Sequence, residues 1–327
     1  MIRMGIVGAA DIAHRMFLPS LLENEQFICA GVASRSQDKR TRFKEDFNIP
    51  CFENYEDIVS DKTIDALYIP LPPALHFEWA KKALQANKHV LLEKPSTICL
   101  EQTKELVALA KQKNLVLQEN YMFQYHSQLN YILEMVKQGI VGDIRLIRSS
   151  FGFPLREKND FRYNKELGGG ALLDAGGYVV KLGSIFLGET AQIETASSGQ
   201  VEGYNVDMYG SVTMRNNEGL VYQGAYSMDC YYQCSLEIWG NKGRIYTNRI
   251  FTAPPKYSPI IIVENNEGKK EIELSPDKHF SQSIKAFYNA TEDNSLREKM
   301  YHDLLQQSRL VQIIKDIKEE KENDKIY

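Results

Sequence analysis

Cysteine is scarce in this chain, and no pair of cysteines has the spacing of a metal or redox motif. There are 5 cysteines in 327 residues, an odd number, and none forms a Cys-x-x-Cys pair. Such a pattern supports neither a disulfide framework nor a zinc site. We therefore predict reduced thiols, no bound metal and a cytoplasmic location.

The chain also lacks an excess of positive charge and any long apolar run. Lysine and arginine number 39 against 43 acidic residues, which gives a net charge of -4. Nucleic-acid binding needs a basic surface, so no nucleic-acid partner is expected. No run approaches the roughly 18 apolar residues of a membrane span, and the N-terminus enters a strand without a leader pattern. We expect no membrane span and no export.

What the chain does contain is typical of a globular protein of two domains. Its 327 residues are 43% hydrophobic and 25% charged, which suits two cores better than one. Short apolar runs alternate with helical patterns up to about residue 121, which predicts a doubly wound parallel α/β sheet. The predicted strands cover residues 2–7, 27–33, 65–69, 90–92 and 115–118. We place the first domain at residues 1–121 and the second at residues 122–327.

The first strand meets a turn that resembles a dinucleotide fingerprint. Gly8, Ala10 and Ala13 occupy the three small positions of G-x-G-x-x-G, where small residues let a pyrophosphate approach the start of a helix. Only one of the three is glycine, so a tight structural turn explains the spacing about as well.

The second strand ends in Ser34-Arg35, with Lys39 soon after, and not in an acidic residue. A carboxylate at this place would accept the ribose 2'-hydroxyl of NAD, whereas a guanidinium suits a 2'-phosphate. The sequence therefore favours NADP(H). The alternatives are a solvated basic helix start, or NAD(H) bound through an acidic residue elsewhere.

Polar or rigid residues follow the next three strands as well. Pro70, Leu71 and Pro72 form a stiff loop suited to one wall of a nicotinamide site, with His76 at the start of the next helix. Glu93 and Lys94 follow a buried strand directly, and Pro95 biases the lysine towards an extended or turn conformation. Asn120 ends the last strand. Ligands bind at this edge of open α/β sheets, so we predict a cofactor site here. An ion pair at a solvated strand end is the alternative for Glu93 and Lys94, and a surface position for His76.

The second half is rich in strand patterns and turns, which predicts a large mixed or antiparallel sheet with helices at the end of the chain. Its outer face needs a cover, and self-association into a dimer or tetramer is one way to provide it. One glycine-rich segment at residues 167–180 carries Asp174 and Tyr178 four residues apart. On an α-helix these two would share one face. Tyr178 could protonate a carbonyl being reduced if a neighbouring lysine lowers its pKa, or it could simply be a core tyrosine.

Taken together, these motifs resemble the Gfo/Idh/MocA oxidoreductases, the glucose-fructose oxidoreductase and inositol dehydrogenase family. The resemblance covers essentially the whole chain and depends most on the Glu93-Lys94-Pro95 motif and on the segment from Gly168 to Tyr178. Residues 151–154 with 160–162, and residues 236–240 followed by 249–254, are more loosely similar to NDP-hexose 3-ketoreductases. Pro73 departs from the family pattern, where asparagine is common, which puts one contact on the nicotinamide side in doubt.

This resemblance implies an enzyme that moves hydride between NADP(H) and a sugar or nucleotide-linked sugar. It implies catalytic roles for Lys94, Tyr178 and Asp174. Cofactor contacts are expected at Gly8, Ala9, Ala10, Asp11, Ile12, Ser34, Arg35, Lys39, Pro70, Leu71, Pro72, His76, Glu93, Lys94, Asn120 and Arg162. An aldose or trans-dihydrodiol dehydrogenase is the nearest alternative. A non-catalytic nucleotide-binding regulator and an NAD-dependent glycosidase are alternatives of another class.

Overall fold

The computed structural model describes the backbone of residues 1–323 and the side chains of residues 1–319. Within it the chain divides into two compact units, described separately below. The first contains Met1–Asn120 and Phe280–Ser308, and the second contains Tyr121–His279 and the chain from Arg309 onward. The predicted division at residues 121 and 122 stays a prediction, and the end of its second domain, residues 324–327, lies outside the described part.

The first unit is built on a parallel sheet of six strands in the order β3-β2-β1-β4-β5-β6. Neighbouring strands are paired in parallel throughout. This strand order reverses direction between β1 and β4, and a ligand crevice is expected at such a reversal. The strands are β1 Ile2–Val7, β2 Phe27–Ala33, β3 Cys51–Phe52, β4 Ala66–Ile69, β5 His89–Leu92 and β6 Leu117–Glu119.

Helices connect these strands and bury the sheet. Leu67, Val90 and Leu117 of the central strands are fully buried, together with Leu84 and Leu106 from helices. Burial on both faces explains why the strands read as continuous apolar runs. The helices are the π-helical turn Ala13–Phe17 with α1 Leu18–Leu22, α2 Gln37–Phe47, α3 Tyr55–Ser60, α4 Pro73–Gln85 and α5 Leu100–Lys113. The helix α8 His279–Glu292 belongs to this unit from its second residue, and α9 Asn294–Asn323 begins in it.

The second unit contains a mixed sheet of eight strands in the order β14-β13-β12-β11-β7-β10-β9-β8. All pairs are antiparallel except β7 with β10, which is parallel. The strands are β7 Ile144–Gly152, β8 Gln192–Gly199, β9 Tyr209–Arg215, β10 Val221–Ser227, β11 Gln233–Gly240, β12 Gly243–Thr247, β13 Ile260–Asn265 and β14 Gly268–Glu273.

One face of this sheet is covered by the helix that carries the glycine-rich segment. A π-helical turn, Leu172–Gly176, continues as α7 Gly177–Leu187, and α6 Ser127–Lys137 precedes the sheet in the chain. The helical segment Lys165–Thr190 is long and apolar enough to cross a membrane by length and composition, but 83% of its most apolar window is buried inside the protein. Such burial is typical of a core helix.

The predicted fold class is confirmed, with differences at strands that carry little apolar pattern. The sixth strand begins at Leu117, two residues later than expected, and β3 was absent from the prediction. In the second half the sequence predicts strands at residues 144–153, 207–214, 220–227, 234–239 and 260–263, so β8, β12 and β14 were missed. β14 has the sequence Gly-Lys-Lys-Glu-Ile-Glu and lies at a sheet edge, where both faces of a strand can be solvated.

Candidate functional site

The turn after β1 is shaped for close approach of a ligand. Gly8 has a φ of +113°, and a Cβ at this position would lie 2.7 Å from the Leu71 side chain. A helix begins at Asp11, and the N–H groups of a first helical turn carry partial positive charge without intrahelical acceptors. Asp11 is exposed and paired with Arg15. The turn therefore fits the pyrophosphate of a dinucleotide, and the predicted residues Ala9, Ala10 and Ile12 lie within it or directly after it.

The end of β2 presents a cation beside a buried hydroxyl. Ser34 is 4% exposed, whereas Arg35 and Lys39 are exposed. The Arg35 guanidinium lies 5.6 Å from the centre of the Tyr55 ring. Arg40, by contrast, turns inward and donates to the Ser34 carbonyl at 2.5 Å. An exposed guanidinium without a carboxylate at the strand end fits a 2'-phosphate better than a free ribose hydroxyl.

The loop after β4 is held from behind by His76. Pro70 and Leu71 are buried and Pro72 is partly buried. His76 is fully buried, and its two ring nitrogens lie 2.7 Å from the carbonyl oxygens of Leu71 and Pro95. His76 therefore lies behind this loop and supports it, and its predicted cofactor contact stays a prediction.

The protonation state of His76 follows from its surroundings. Burial lowers the pKa of His76 to about 4, and the charge of Lys94 acts in the same direction against the two carbonyl contacts. The ring is therefore neutral near neutral pH and carries one N–H. It donates to one of the two carbonyls, and its other nitrogen faces the second.

The tip of β5 carries Glu93 and Lys94, both partly buried. Glu93 Oε1 accepts hydrogen bonds from the Tyr68 hydroxyl and the Asn120 amide, each at 2.7 Å. Burial raises the pKa of Glu93, while these two bonds and the charge of Lys94 oppose the rise. The peptide bond between Lys94 and Pro95 is cis. Glu93 thus organises the strand tips next to the lysine.

Two residues at the tip of β6 complete this edge. Asn120 is fully buried, and its carbonyl oxygen accepts a bond from the Ser283 hydroxyl at 2.7 Å while its amide binds Glu93. Glu119 Oε1 accepts the backbone N–H of Ser96 at 2.7 Å. Asn120 is thus engaged within the first unit at both ends of its side chain, and Glu119 reaches the loop that carries Lys94.

In the second unit, Arg162 and Asp174 form one ion-pair network. Arg162 Nε lies 2.8 Å from Asp174 Oδ2, and its Nη1 lies 3.0 Å from Asp160 Oδ1. Burial alone would lower the pKa of Arg162, but the charges of Asp174 and Asp160 outweigh it and raise the pKa. Two carboxylates share one guanidinium. The structure brings these two predicted residues together.

Tyr178 lies in an aromatic cluster of the same unit. It is 5% exposed, and its ring packs at 5.0 to 5.9 Å from the rings of Tyr121, Phe123, Phe151 and Phe251. Its hydroxyl lies 3.4 Å from the Met122 sulfur. The cluster fixes the ring of Tyr178.

The helix that carries both residues is capped by Asp207. Asp207 Oδ2 accepts the N–H of Leu172 at 2.7 Å, and its carbonyl accepts the N–H of Ala171 at 2.8 Å. Gly170 precedes this turn with a φ of +120°, and a Cβ there would lie 2.6 Å from Asp207 Oδ1. The glycine therefore allows the capping carboxylate to approach the helix end.

A cleft of about 420 Å³ lies elsewhere in the second unit, lined by Gln233, Ser235, Tyr246 and Arg249 among others. Side chains alternate between the two faces of a strand. The Cys234 sulfur accepts the N–H of Phe251, and the Phe251 ring packs on Tyr178. Cys234 therefore faces the side of the sheet on which Tyr178 lies. Its neighbours Gln233 and Ser235 point to the other side. Among the residues that the structure describes, no group of three or more His, Cys, Asp or Glu could hold a metal.

Comparison with known families matches both halves of the chain. Residues 2–121 match the oxidoreductase family with an NAD-binding Rossmann fold, and residues 129–246 match the GFO/IDH/MocA C-terminal domain. The chain belongs to the GFO/IDH/MocA oxidoreductase family. The family identified from the sequence is confirmed, and with it the conclusion that the protein is an oxidoreductase.

Individual GFO/IDH/MocA members are similar over nearly the full length. A dTDP-3,4-didehydro-2,6-dideoxy-alpha-D-glucose 3-reductase from Actinomadura kijaniata is 35% identical and covers 96% of this chain and 95% of its own. The enzyme of the same name from Saccharopolyspora spinosa is 34% identical over 96% of both chains. A solved 3-ketoreductase from Actinomadura kijaniata, in complex with NADP and TDP-benzene, has a TM-score of 0.93 at 35% identity and covers 96% of this chain and 97% of its own.

Two further residues that hold the backbone near predicted site residues were not among the predicted site residues. Glu119 had a signal that was available, since it ends a strand of the same sheet as the other predicted residues. No such signal was available for Asp207, because it lies 35 residues from Leu172, whose N–H donates to its carboxylate. Pairing over that distance is set by the fold and not by a local pattern.

Proposed function

We propose that this protein is an NADP(H)-dependent reductase of a keto-sugar carried on a nucleoside diphosphate, with a 3-keto sugar as the expected substrate. The curated relatives named above are 3-reductases of a dTDP-linked sugar, and the solved relative binds NADP and TDP-benzene. Similarity over 96% of this chain supports carrying the reaction class over.

The observation that carries the proposal is the end of β2. There the buried Ser34 hydroxyl stands next to the exposed Arg35 guanidinium, and no acidic residue ends the strand. This arrangement suits the 2'-phosphate of NADP, which a forked guanidinium binds with charge-assisted bonds. NAD(H) would find no carboxylate at this place for its ribose.

The bound cofactor supplies the hydride, and the chain's own residues supply binding and proton chemistry. Gly8, the helix start that follows it and Arg35 hold the phosphates, and the loop at Pro70–Pro72 borders the nicotinamide. Lys94 stabilises the negative charge that develops on the carbonyl oxygen, and Tyr178 delivers a proton to it. Asp174 contacts the sugar, with Arg162 beside it. Solved forms of the Actinomadura relative include one with a tyrosine changed to phenylalanine and two with a lysine changed. The residue types changed there are the two to which we assign the proton transfer and the charge stabilisation.

Assembly and location belong to the same proposal. We expect a homodimer or homotetramer in the cytoplasm, with a second copy covering the sheet face that carries Ser235 and Trp239. Trp239 is 37% exposed on this face, with the Arg148 guanidinium 4.1 Å from its ring centre. Light scattering with Trp239→Glu would test it, and loss of the oligomer is the expected result.

The first test is a titration with NADPH and NADH, followed by a screen of keto-sugars and nucleotide-linked keto-sugars for NADPH oxidation. Arg35→Ala should weaken NADPH binding by about tenfold and leave NADH binding unchanged, since the lost contact is with the 2'-phosphate. Lys44→Ala is the matched control, because Lys44 is an exposed cation on α2, the helix that follows Arg35.

Other outcomes would redirect the proposal. Turnover of free aldoses or dihydrodiols alone would indicate an aldose or trans-dihydrodiol dehydrogenase. Tight NADPH binding without turnover of any carbonyl substrate would indicate a regulator. Release of an aglycone with no net change in NADPH would indicate a glycosidase.

A further inference from the structure

The backbone that carries Lys94 is held by side chains at three consecutive residues. Glu93 Oε2 lies 3.4 Å from the N–H of Lys94, a His76 ring nitrogen lies 2.7 Å from the carbonyl of Pro95, and Glu119 Oε1 lies 2.7 Å from the N–H of Ser96. These side chains come from the tip of β5, from α4 and from β6. Three separate elements therefore converge on one loop.

Two of these contacts are buried as well as short. Glu119 is 8% exposed, Ser96 is 3% exposed and His76 is fully buried. A carboxylate that accepts a backbone N–H out of water makes a charge-assisted bond, and losing one partner of such a buried pair is costly. The backbone directly after Lys94 is thus fixed on both its N–H and carbonyl sides.

His76 connects this loop to a second one. Its other ring nitrogen lies 2.7 Å from the carbonyl of Leu71, in the loop after β4. One imidazole therefore spans the Pro70–Pro72 loop and the Lys94–Pro95 peptide. The side chain of Lys94 therefore leaves a backbone that lies against buried groups on both sides, the His76 ring at the Pro95 carbonyl and Glu119 at the Ser96 N–H.

We propose that Glu119 and His76 are positioning residues that hold the backbone at Lys94 so that its ammonium group is delivered to one place. This inference rests on the proposed function, in which Lys94 stabilises charge on the carbonyl oxygen. Neither side chain needs to contact substrate or cofactor for this role.

The test compares Glu119→Leu with Glu119→Gln. Leucine removes the acceptor for the Ser96 N–H, and kcat should fall about 10- to 100-fold with NADPH affinity unchanged, because a small displacement of a catalytic group is costly. Glutamine keeps an acceptor oxygen without the charge, so it should restore kcat to within about threefold of wild type.

Tyr301→Phe is the control for a general loss of stability. Tyr301 lies in α9 within the same unit, is 1% exposed, and its hydroxyl donates to the carbonyl of Leu115 without touching the loop. This variant should lower Tm about as much as Glu119→Leu does and leave kcat near wild type. Loss of kcat in the control as well would mean that stability alone explains the effect.

A double-mutant cycle separates positioning from a structural role. In a Lys94→Ala background, Glu119→Leu should change kcat by less than about threefold, because the residue through which Glu119 acts is gone. If the two losses multiply instead, Glu119 does not act through Lys94 and the inference is wrong.

His76 provides an independent arm. The amide of Asn occupies about the place of Nδ1, which faces Pro95, and that of Gln occupies about the place of Nε2, which faces Leu71. His76→Asn should therefore retain more kcat than His76→Gln, and the reverse order would contradict the inference. If wild type turns over no keto-sugar, the proposed function fails first; if wild type is active but the Lys94 cycle is additive, only this inference fails.

Discussion

Lys94 and Tyr178 are held in place by different kinds of interaction. The backbone around Lys94 donates hydrogen bonds to Glu93 and Glu119 and contacts the His76 ring. The ring of Tyr178 is held by packing against four other aromatic rings. A substitution that keeps an aromatic ring at position 178 should therefore leave the cluster in place. The position of Lys94 depends instead on polar side chains that lie elsewhere in the chain.

Tyr178→Phe should remove the proton donor and leave the aromatic cluster intact. Turnover of the keto-sugar should fall by about 10²-fold or more, since a positioned general acid contributes that much. NADPH affinity and Tm should change little. Steady-state kinetics with NADPH oxidation as the readout, together with thermal unfolding, would measure both effects.

Tyr226→Phe is the control for that experiment. The Tyr226 hydroxyl is buried, has no hydrogen-bond partner among the described residues, and has a pKa raised by burial. Removing it should leave turnover unchanged and stabilise the protein by up to about 1 kcal/mol. If the two variants had equal turnover, Tyr178 would lose its role in the reaction.

Residues next to strand ends were the ones that sequence reasoning could find. Gly8, Arg35 and Lys94 each follow an apolar run within two residues, so their common edge follows from parallel strands alone. The role of His76 could not be derived in this way. It depends on a Pro95 carbonyl 19 residues away, which only the packed fold brings within 2.7 Å.

At the scale of elements, the helix carrying Asp174 and Tyr178 departs from simple α geometry. Residues four apart share a face on an α-helix, but Leu172–Gly176 is a π-helical turn. A π turn pairs residues five apart and rotates the following side chains. Asp174 accordingly contacts Arg162, while Tyr178 packs among aromatic rings. Spacing in the sequence gives no sign of such a turn.

Asp207→Ala should destabilise the start of that helix. The Asp207 carboxylate accepts the N–H of Leu172, and loss of a capping acceptor costs about 1 to 2 kcal/mol. Urea unfolding should show this loss. Lys318→Ala removes only the ion pair of Asp207, at 3.6 Å, and should cost less than about 1 kcal/mol. Equal losses in the two variants would mean that the ion pair, and not the cap, provides the stability.

The strands that were predicted and those that were missed differ in apolar content. β1 and β2 are buried along most of their length, and their predicted bounds agree with the structure. β8 and β14 are the two edge strands of the second sheet and are largely exposed. An edge strand can be polar on both faces, so the pairing that defines it is visible only in the folded sheet.

For the whole molecule, buried histidines connect stability to pH. Burial lowers the pKa of His76 and of His279 to about 4, and His126 adds to the shift at His279. His76 belongs to the first unit and His279 to the second. When the pKa of a base is lower in the folded state, the unfolded chain binds protons first as pH falls below the ordinary value. Each unit should therefore lose stability under mild acid.

The expected loss can be measured by calorimetric unfolding at two pH values. Each of the two histidines should cost roughly 2 kcal/mol at about pH 5 relative to about pH 7.5, with the loss beginning near pH 6.5 and ending near pH 4. Glu93 acts in the opposite direction, because its raised pKa makes the folded state bind its proton first. His279→Gln removes one titrating group, so this variant should lose less stability between the two pH values than wild type. An equal pH dependence in the variant and in wild type would show that His279 does not titrate on unfolding.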